Sequence, residues 1–318
     1  MVPPDLTVVV PVLDEADNIW PLHAELSAAL DGTGLSWEVV AVDDGSVDVS
    51  FERLREVHAA DARWRVIRFR RNFGQTAAFA AGFAAARAPI IVTIDADLQN
   101  DPADIPRFLE VLDEGYDVVS GWRVRRVGSW VLRRAPSAVA NRLIAAVTGV
   151  KLHDFGCSLK AYRTDVVRDL ELYGELHRFI PAIASRAGAR IAEIPVNDRP
   201  RAHHQSKYGL GRVFSVMLDL LTVFFLLGYG SKPLRFFGGL GAVAVAVGCS
   251  INLYLTLSKL ILGAAIADRP LLLLGLLATI VGVQLVAIGL LAELVMRTYH
   301  AAADTPPYAI RERLGFEP

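Results

Sequence analysis

Between residues 7 and 196 the chain alternates short β-branched apolar runs with longer amphipathic stretches. The runs 7–13 (TVVVPVL), 37–44 (WEVVAVDD), 64–69 (WRVIRF), 89–95 (PIIVTID) and 116–121 (YDVVSG) predict strands. The intervening stretches 18–30, 49–60, 74–86 and 102–114 predict helices. This alternation implies βαβ units and a mostly parallel sheet covered on both faces. Ligands of such sheets bind where the strands end at their carboxyl edge and the chain turns into loops.

A different pattern follows. Residues 236–258 and 271–292 carry no formal charge, and each run exceeds the roughly 20 residues that cross a bilayer core. They predict a transmembrane hairpin with a short turn around Asp268 and Arg269. Residues 213–230 are apolar but contain Asp219, and an acid at mid-bilayer costs roughly 2.5–3.5 kcal/mol. They read as an interfacial helix lying on the membrane, with a third span as the alternative. Lys232 and Arg235 precede the first span and Arg297, Arg311 and Arg313 follow the second, which places both flanks in the cytoplasm and requires an even number of spans. The expected organisation is a catalytic domain over 1–212, an interfacial helix over 213–232, a hairpin over 233–300 (spans about 236–260 and 271–296) and a cytoplasmic tail over 301–318.

Composition adds little to this picture. Across 318 residues the formal net charge is -1, which gives no hint of nucleic-acid binding. Two cysteines, Cys157 and Cys249, have no metal-ligand spacing and support neither a disulfide framework nor a zinc site. The first residues lead straight into a strand-like run, so no export signal is expected.

The strand ends carry the chemistry. PVLDEADN follows the first strand, DDGSVD the second and DADLQND the fourth, so three acidic loops should gather on one edge of the sheet. One such loop could be an ordinary helix cap, whereas three together suggest a site for a cation or a polar ligand. Asp95 and Asp97 fall on the same side of an extended segment, and Gln99 continues that side with a third oxygen. Carboxylate and amide oxygens suit Mg²⁺ or Mn²⁺, which takes one or two protein carboxylates and completes its shell with substrate phosphates.

The ordered set PVLDEADN, DDGSVD, RNFGQ, DADLQNDP, GWRVRR, DFGCSLKAYR and SKYGLGR resembles family 2 glycosyltransferases of the polyisoprenyl-phosphate hexosyltransferase type, over nearly the whole chain. The resemblance implies an α/β GT-A (Rossmann-like) domain, a nucleotide-sugar donor, a polyisoprenyl-phosphate acceptor in the lipid bilayer, and an inner-membrane enzyme with its catalytic domain in the cytoplasm. It assigns Pro11, Asp14, Glu15 and Asp43 to the nucleoside pocket with Asp44 beside it, and Asp95, Asp97 and Gln99 to the metal and diphosphate. Arg123 resembles the acceptor-phosphate arginine, and Arg133 with Ser137 a second phosphate-binding pair, for which Arg126 and Arg134 compete. Asp154 matches an acid that acts either as a base or as an orienting group near the acceptor. Arg199, Ser206 and Lys207 fall in a segment similar to the loop that closes over the donor. The implied reaction inverts the anomeric centre. UDP-glucose is slightly preferred as donor over GDP-mannose, and a processive polysaccharide synthase or a non-catalytic membrane partner are the competing readings.

Several features have plainer readings. The small-residue run after Gly74 suits a helix packed closely on the sheet, and His177 is as readily structural as sugar-binding. His203 and His204, adjacent on a loop, are not expected to bind metal. The run 238–248 (GGLGAVAVAVG) could support close helix packing in a homo-oligomer or be ordinary span composition.

Overall fold

The computed structural model describes residues 3–124, 149–168, 176–200, 233–263, 269–302 and 308–316, together with Ala145, Leu170 and Ala265. These fall into two units, the first containing residues 1–223 and 306–318 and the second 224–305.

The first unit is built on an eight-stranded sheet. In chain order its strands and main helices are β1 (Leu6–Val12), α1 (Ile19–Leu30), β2 (Trp37–Asp43), α2 (Ser50–Ala60), β3 (Trp64–Phe69), α3 (Gln75–Ala85), β4 (Ile90–Thr93), α4 (Ile105–Asp113) and β5 (Val118–Arg123). They continue as β6 (Lys160–Arg163), α5 (Thr164–Arg168), α6 (Ile180–Arg186), β7 (Ile191–Val196) and β8 (Ile310–Leu314). The spatial order is β7-β5-β6-β4-β1-β2-β3-β8. Strand β1 pairs in parallel with β2 and β4, as do β2 with β3 and β5 with β7. Only β6 and β8 run against their neighbours.

Alternation along the strands sorts side chains onto the two faces. Val8, Val10, Val39 and Ala41 join Leu22 and Leu26 of α1, Phe51 and Leu54 of α2, and Phe108 and Leu112 of α4 in the larger core. Val40, Val42, Ile67 and Phe69 point the other way, onto Ala77, Ala78 and Ala81 of α3. The alanine-rich face lets α3 approach closely: at Gly82 an added Cβ would lie 2.2 Å from Val9 Cγ1. Truncating a fully buried core residue such as Leu26 or Phe108 to Ala costs about 2–5 kcal/mol.

Residues 301–318, read from sequence as a tail, end differently. Strand β8 adds to the free edge of β3, and Tyr308 stacks on Phe69 with centroids 5.0 Å apart. The catalytic sheet therefore draws on chain from both sides of the apolar helices.

The second unit is a pair of helices, α7 (Pro233–Leu262) and α8 (Pro270–Ala302). Both are long and apolar enough to cross a membrane, with mean hydropathies of 1.8 and 2.6. Glycines let them touch. Added Cβ atoms at Gly241 and Gly282 would each lie within 2.7 Å of the other's carbonyl oxygen, and one at Gly248 would lie 2.6 Å from that of Gly275. The close packing foreseen for 238–248 thus occurs inside one chain. The segment 213–230, with Asp219, lies outside the described residues, as does Asp268 in the turn.

Candidate active site

The ends of β1 and β2 are wired together by short polar contacts. Beyond β1, Asp14 adopts a positive φ of 55°, uncommon for a residue with a side chain. Its backbone N–H donates to Ser46 Oγ at 3.0 Å, and its Oδ1 accepts from the Val47 N–H at 2.9 Å. The Glu15 N–H donates to Ser50 Oγ at 2.9 Å. Pro11 lies within β1 itself, two residues upstream of this turn. Four of the residues assigned to nucleoside recognition, Pro11, Asp14, Glu15 and Asp43, therefore cluster on one corner of the sheet.

Asp43 and Asp44 are both buried, and burial pushes each carboxyl above its usual range. Asp43 Oδ1 accepts from the Ser46 N–H, and Arg68 Nε lies 3.4 Å from Oδ2. Asp44 turns toward the next loop, accepting from the N–H groups of Phe73 and Gly74 at 2.7 and 3.0 Å. Gly45 makes this approach possible: its φ is +75°, and an added Cβ would collide with the Arg71 backbone at 2.4 Å.

The third acidic loop departs from the extended geometry expected of it. Strand β4 stops at Thr93, and Leu98 takes a positive φ of 60°. The period-two alternation that would align Asp95, Asp97 and Gln99 therefore does not run through Gln99. The chain turns there instead, with the Gln99 N–H donating to Asp97 Oδ1 at 3.1 Å. A bulky residue held in the left-handed region costs about 1–3 kcal/mol, and such outliers concentrate at functional sites. Asp95 is pushed up to about 6, first by burial and then by the charge of Asp97; the Ser158 hydroxyl, Arg123 and Lys160 act in the other direction. Gln75 Nε2 donates to Asp95 Oδ1 at 2.7 Å.

Two close carboxylates, Asp97 buried and Asp95 half-buried, suit a divalent cation that draws its other ligands from diphosphate and water. Among the described residues no group of three or more His, Cys, Asp or Glu could form a complete protein cage.

At the end of β5, Arg123 meets Asp154 in a two-pronged pair: Nε donates to Oδ2 at 2.7 Å and Nη2 to Oδ1 at 3.2 Å. Burial alone would lower the Arg123 pKa, but the Asp154 carboxylate outweighs it and holds the guanidinium charged. The two residues assigned to the acceptor thus bind each other.

Arg199, assigned to the segment that resembles the donor-closing loop, is engaged within the protein. Its Nη1 lies 2.7 Å from Glu25 on α1 and its Nη2 2.7 Å from Asp101, while its N–H donates to the Gln99 carbonyl. It anchors the acidic loop rather than presenting a free cation. Arg126, Arg133, Arg134, Ser137, His203, His204, Ser206 and Lys207 lie outside the described residues. His177 is half-buried, with Nδ1 2.7 Å from Thr76 Oγ1, and loss of hydration pushes it down to about 3.

Lys160 and Gln75 escaped the sequence reading, although both lie within motifs that resemble the family. The charged first residue of a buried strand was the available sign for Lys160, and position three after Asn72 in RNFGQ carried none for Gln75.

Comparison with known proteins shows the family and the fold. The family model for glycosyl transferase family 2 matches residues 7–171. The chain is 43% identical to the dodecaprenyl-phosphate galacturonate synthase of Rhizobium johnstonii, over 97% of this chain and 92% of that one. It is 38% identical to the undecaprenyl-phosphate 4-deoxy-4-formamido-L-arabinose transferase of Aeromonas hydrophila, over 96% and 93%. Among solved structures, glucosyl-3-phosphoglycerate synthase from Mycobacterium tuberculosis, in complex with Mn²⁺, UDP and glucosyl-3-phosphoglycerate, superposes with a TM-score of 0.54 at 21% identity, covering 70% of this chain and 79% of that one, a likeness of GT-A fold. The acidic strand-end loops thus lie in a glycosyltransferase, and the chain belongs to glycosyl transferase family 2.

Proposed function

We propose that the protein transfers a sugar from a nucleoside diphosphate sugar to a polyprenyl phosphate, at the cytoplasmic face of the inner membrane and with inversion at the anomeric carbon. The observation that carries the reading is a fixed, charged Arg123 beside the Asp95 and Asp97 pair: one end of the site suits an anionic acceptor, the other a metal-bound diphosphate. The names of both curated relatives carry a polyprenyl phosphate acceptor. The apolar helices α7 and α8 suit an enzyme whose acceptor is confined to a bilayer.

Asp95 and Asp97 would hold Mg²⁺ or Mn²⁺, which supplies charge neutralisation for the departing diphosphate. Asp14, Glu15 and Asp43 form the nucleoside corner, and Arg123 holds the acceptor phosphate, whose oxygen is already anionic and attacks the anomeric carbon. A guanidinium offers planar paired donors to phosphate, where Lys would act as a point charge. Holding both reactants in line provides much of the acceleration.

The preference for glucose as the transferred sugar finds no counterpart in the relatives, whose names carry galacturonate and 4-deoxy-4-formamido-L-arabinose. Galacturonate is the first candidate on the strength of the 43% identity. The test is transfer from UDP-galacturonate, UDP-glucose, GDP-mannose and UDP-4-deoxy-4-formamido-L-arabinose to undecaprenyl phosphate in membranes, with Mg²⁺ or Mn²⁺ and with EDTA. Metal-dependent labelling by one donor, lost in Asp97→Ala, is the expected result; no labelling from any donor overturns the reading.

A further inference from the structure

Lys160 is a cation of this region with no role so far. It opens β6 and is only 3% exposed, with Asp95, Asp154, Arg123 and Cys157 all close enough to act on its charge. Burial pushes its ammonium below the usual lysine range, and the thiol and carboxylates act against that. Its Nζ donates to two backbone carbonyls, those of Phe155 at 3.4 Å and of Cys157. Both belong to the turn that follows Asp154. At the other end of the turn, Glu193 of β7 accepts from the N–H groups of His153 and Asp154, each at 2.9 Å. Asp154 closes the turn on itself by accepting from the Gly156 N–H at 3.1 Å.

The turn is thus held from two strands, β7 at its start and β6 at its finish. Its side-chain product is the Asp154 carboxylate, set to take both Nε and Nη2 of Arg123. The remaining nitrogen of the guanidinium, Nη1, makes no hydrogen bond to a described residue. There is little slack between strand and turn, because a Cβ at Gly121 of β5 would lie 2.9 Å from Cys157 Sγ and from the Leu159 carbonyl oxygen. A carboxylate already engaged by a guanidinium on both oxygens is a poor proton acceptor, and a lipid phosphate has little need of one.

We propose that Lys160 and Asp154 are positioning residues that act through Arg123: Lys160 fixes the 154–157 turn, and Asp154 on that turn clamps the guanidinium so that its Nη1 edge faces the acceptor phosphate. This rests on the proposed transfer to a polyprenyl phosphate. Asp154 then serves as the orienting group and not as the base. In this scheme Lys160 acts through the turn, to which it gives two of its three N–H donors.

The test combines kinetics with a probe that does not require turnover. Wild type, Lys160→Met, Lys160→Arg, Asp154→Asn, Arg123→Ala and the double variant Lys160→Met/Arg123→Ala are assayed for transfer to undecaprenyl phosphate. In parallel the same set, in a Cys249→Ser background, is labelled with a thiol reagent. Cys157 is wholly buried in the turn, so its labelling rate reports whether the turn is held. The expected result for Lys160→Met is an acceptor KM raised on the order of tenfold or more, a smaller change in the donor KM, and faster Cys157 labelling. Lys160→Arg should restore both readouts in large part. The double variant should transfer no worse than Arg123→Ala alone, because both substitutions remove one device.

Multiplied losses in the double variant, or unchanged Cys157 labelling in Lys160→Met, would overturn the proposal. So would an Asp154→Asn enzyme that binds acceptor normally and turns over thousands of times more slowly, as loss of a base would produce. Failure of wild type to transfer sugar to undecaprenyl phosphate would instead overturn the functional reading, and the labelling arm would still decide whether Lys160 holds the turn.

Discussion

The carboxamide of Gln75 donates to Asp95 at 2.7 Å, tying the first turn of α3 to the acidic loop at the end of β4. This bond fixes one oxygen of a carboxylate that burial and Asp97 push up to about 6. Gln75→Ala removes one of the bonds that orient Asp95, and metal-supported donor binding should weaken on the order of tenfold, the worth of one hydrogen bond to a charged group. Gln75→Glu adds a third acid beside two others and should weaken it further at low metal concentration. Isothermal titration of UDP at graded Mn²⁺ distinguishes the two, since the Glu variant should regain affinity as metal rises.

Gly45 links the loop after β2 to the loop after β3 through its positive φ and the Arg71 backbone behind it. In Gly45→Ala the added methyl collides with main chain, which has no rotamer with which to yield. The segment 71–74 must move, and Asp44 then loses the N–H groups of Phe73 and Gly74. The variant should unfold at lower temperature and bind nucleotide at least tenfold more weakly, the backbone strain alone being about 1–2 kcal/mol. Gly34→Ala is the control: it has a comparable φ of +75° with nothing within 4 Å, so it should show the strain cost without the loss of nucleotide binding.

Strands β1 to β5 were legible because each is an apolar, β-branched run bounded by turn residues. Strands β6, β7 and β8 were not. The four residues KAYR open on a buried lysine, and IRERL alternates charge at an edge covered on one face only. The acids at the strand ends stood out as a site because their position follows from the parallel sheet. Their true arrangement did not, because the positive φ of Leu98 leaves no trace in a polarity pattern. The partners of Arg199, Lys160 and Asp154 were equally hidden, since contacts such as Arg199 with Glu25 join residues far apart in sequence.

Strand β8 also makes the end of the chain part of the catalytic unit. Arg65 is 7% exposed and paired with buried Glu38 at 3.2 Å, and it meets the C-terminal segment through the Gly315 carbonyl at 3.3 Å and the Phe316 ring at 4.0 Å. Removing residues 308–318 uncovers this pair and the β3 edge together. The truncated protein should lose about 3–5 kcal/mol in urea unfolding, comparable with breaking a buried pair, whereas Phe316→Ala should lose less. Equal stability of the truncated and full-length proteins would show that β8 contributes nothing to the sheet.

His177 predicts a dependence of stability on pH. In the folded protein it is pushed down to about 3, against 6.5 for the ordinary group, so above pH 6.5 it is neutral whether the chain is folded or not. Below that, the unfolded chain binds a proton that the native state refuses. Stability falls as pH drops, by up to about 1.4 kcal/mol per unit, until the folded pKa is reached. Asp95 works in the opposite sense between about 6 and 3.8, because the native state keeps a proton there that the unfolded chain has released. The wild-type curve therefore mixes the two. In His177→Gln the carboxylate trends remain, and the wild-type minus variant difference in unfolding free energy, which cancels them, should decline steadily from pH 6.5 to pH 4.5. A flat difference would mean that His177 is protonated inside the fold.

The hairpin depends on where its glycines lie. Gly241 and Gly248 on α7 are seven residues apart, as are Gly275, Gly282 and Gly289 on α8, so each set keeps to one side of its helix. Added Cβ atoms at Gly248 and Gly282 would meet partner-helix backbone at 2.6 and 2.7 Å, and backbone can yield only if the helices separate. In a bilayer the association rests on this packing, because lipid tails are as apolar as the helix faces. Gly282→Leu should therefore force the helices apart at a cost of about 1–3 kcal/mol. Gly239→Leu, with nothing within 4 Å of the added carbon, should be tolerated. Engineered cysteines at Val245 and Gly282 are unsuitable for following this, since they would replace the contact itself. Thermal unfolding in detergent, read from the loss of helical circular dichroism, leaves the contact in place. Gly282→Leu should shift the transition down by several degrees while Gly239→Leu leaves it unmoved. Equal shifts would mean that added bulk disturbs the hairpin wherever it is placed, and that the glycine contacts do not hold it together.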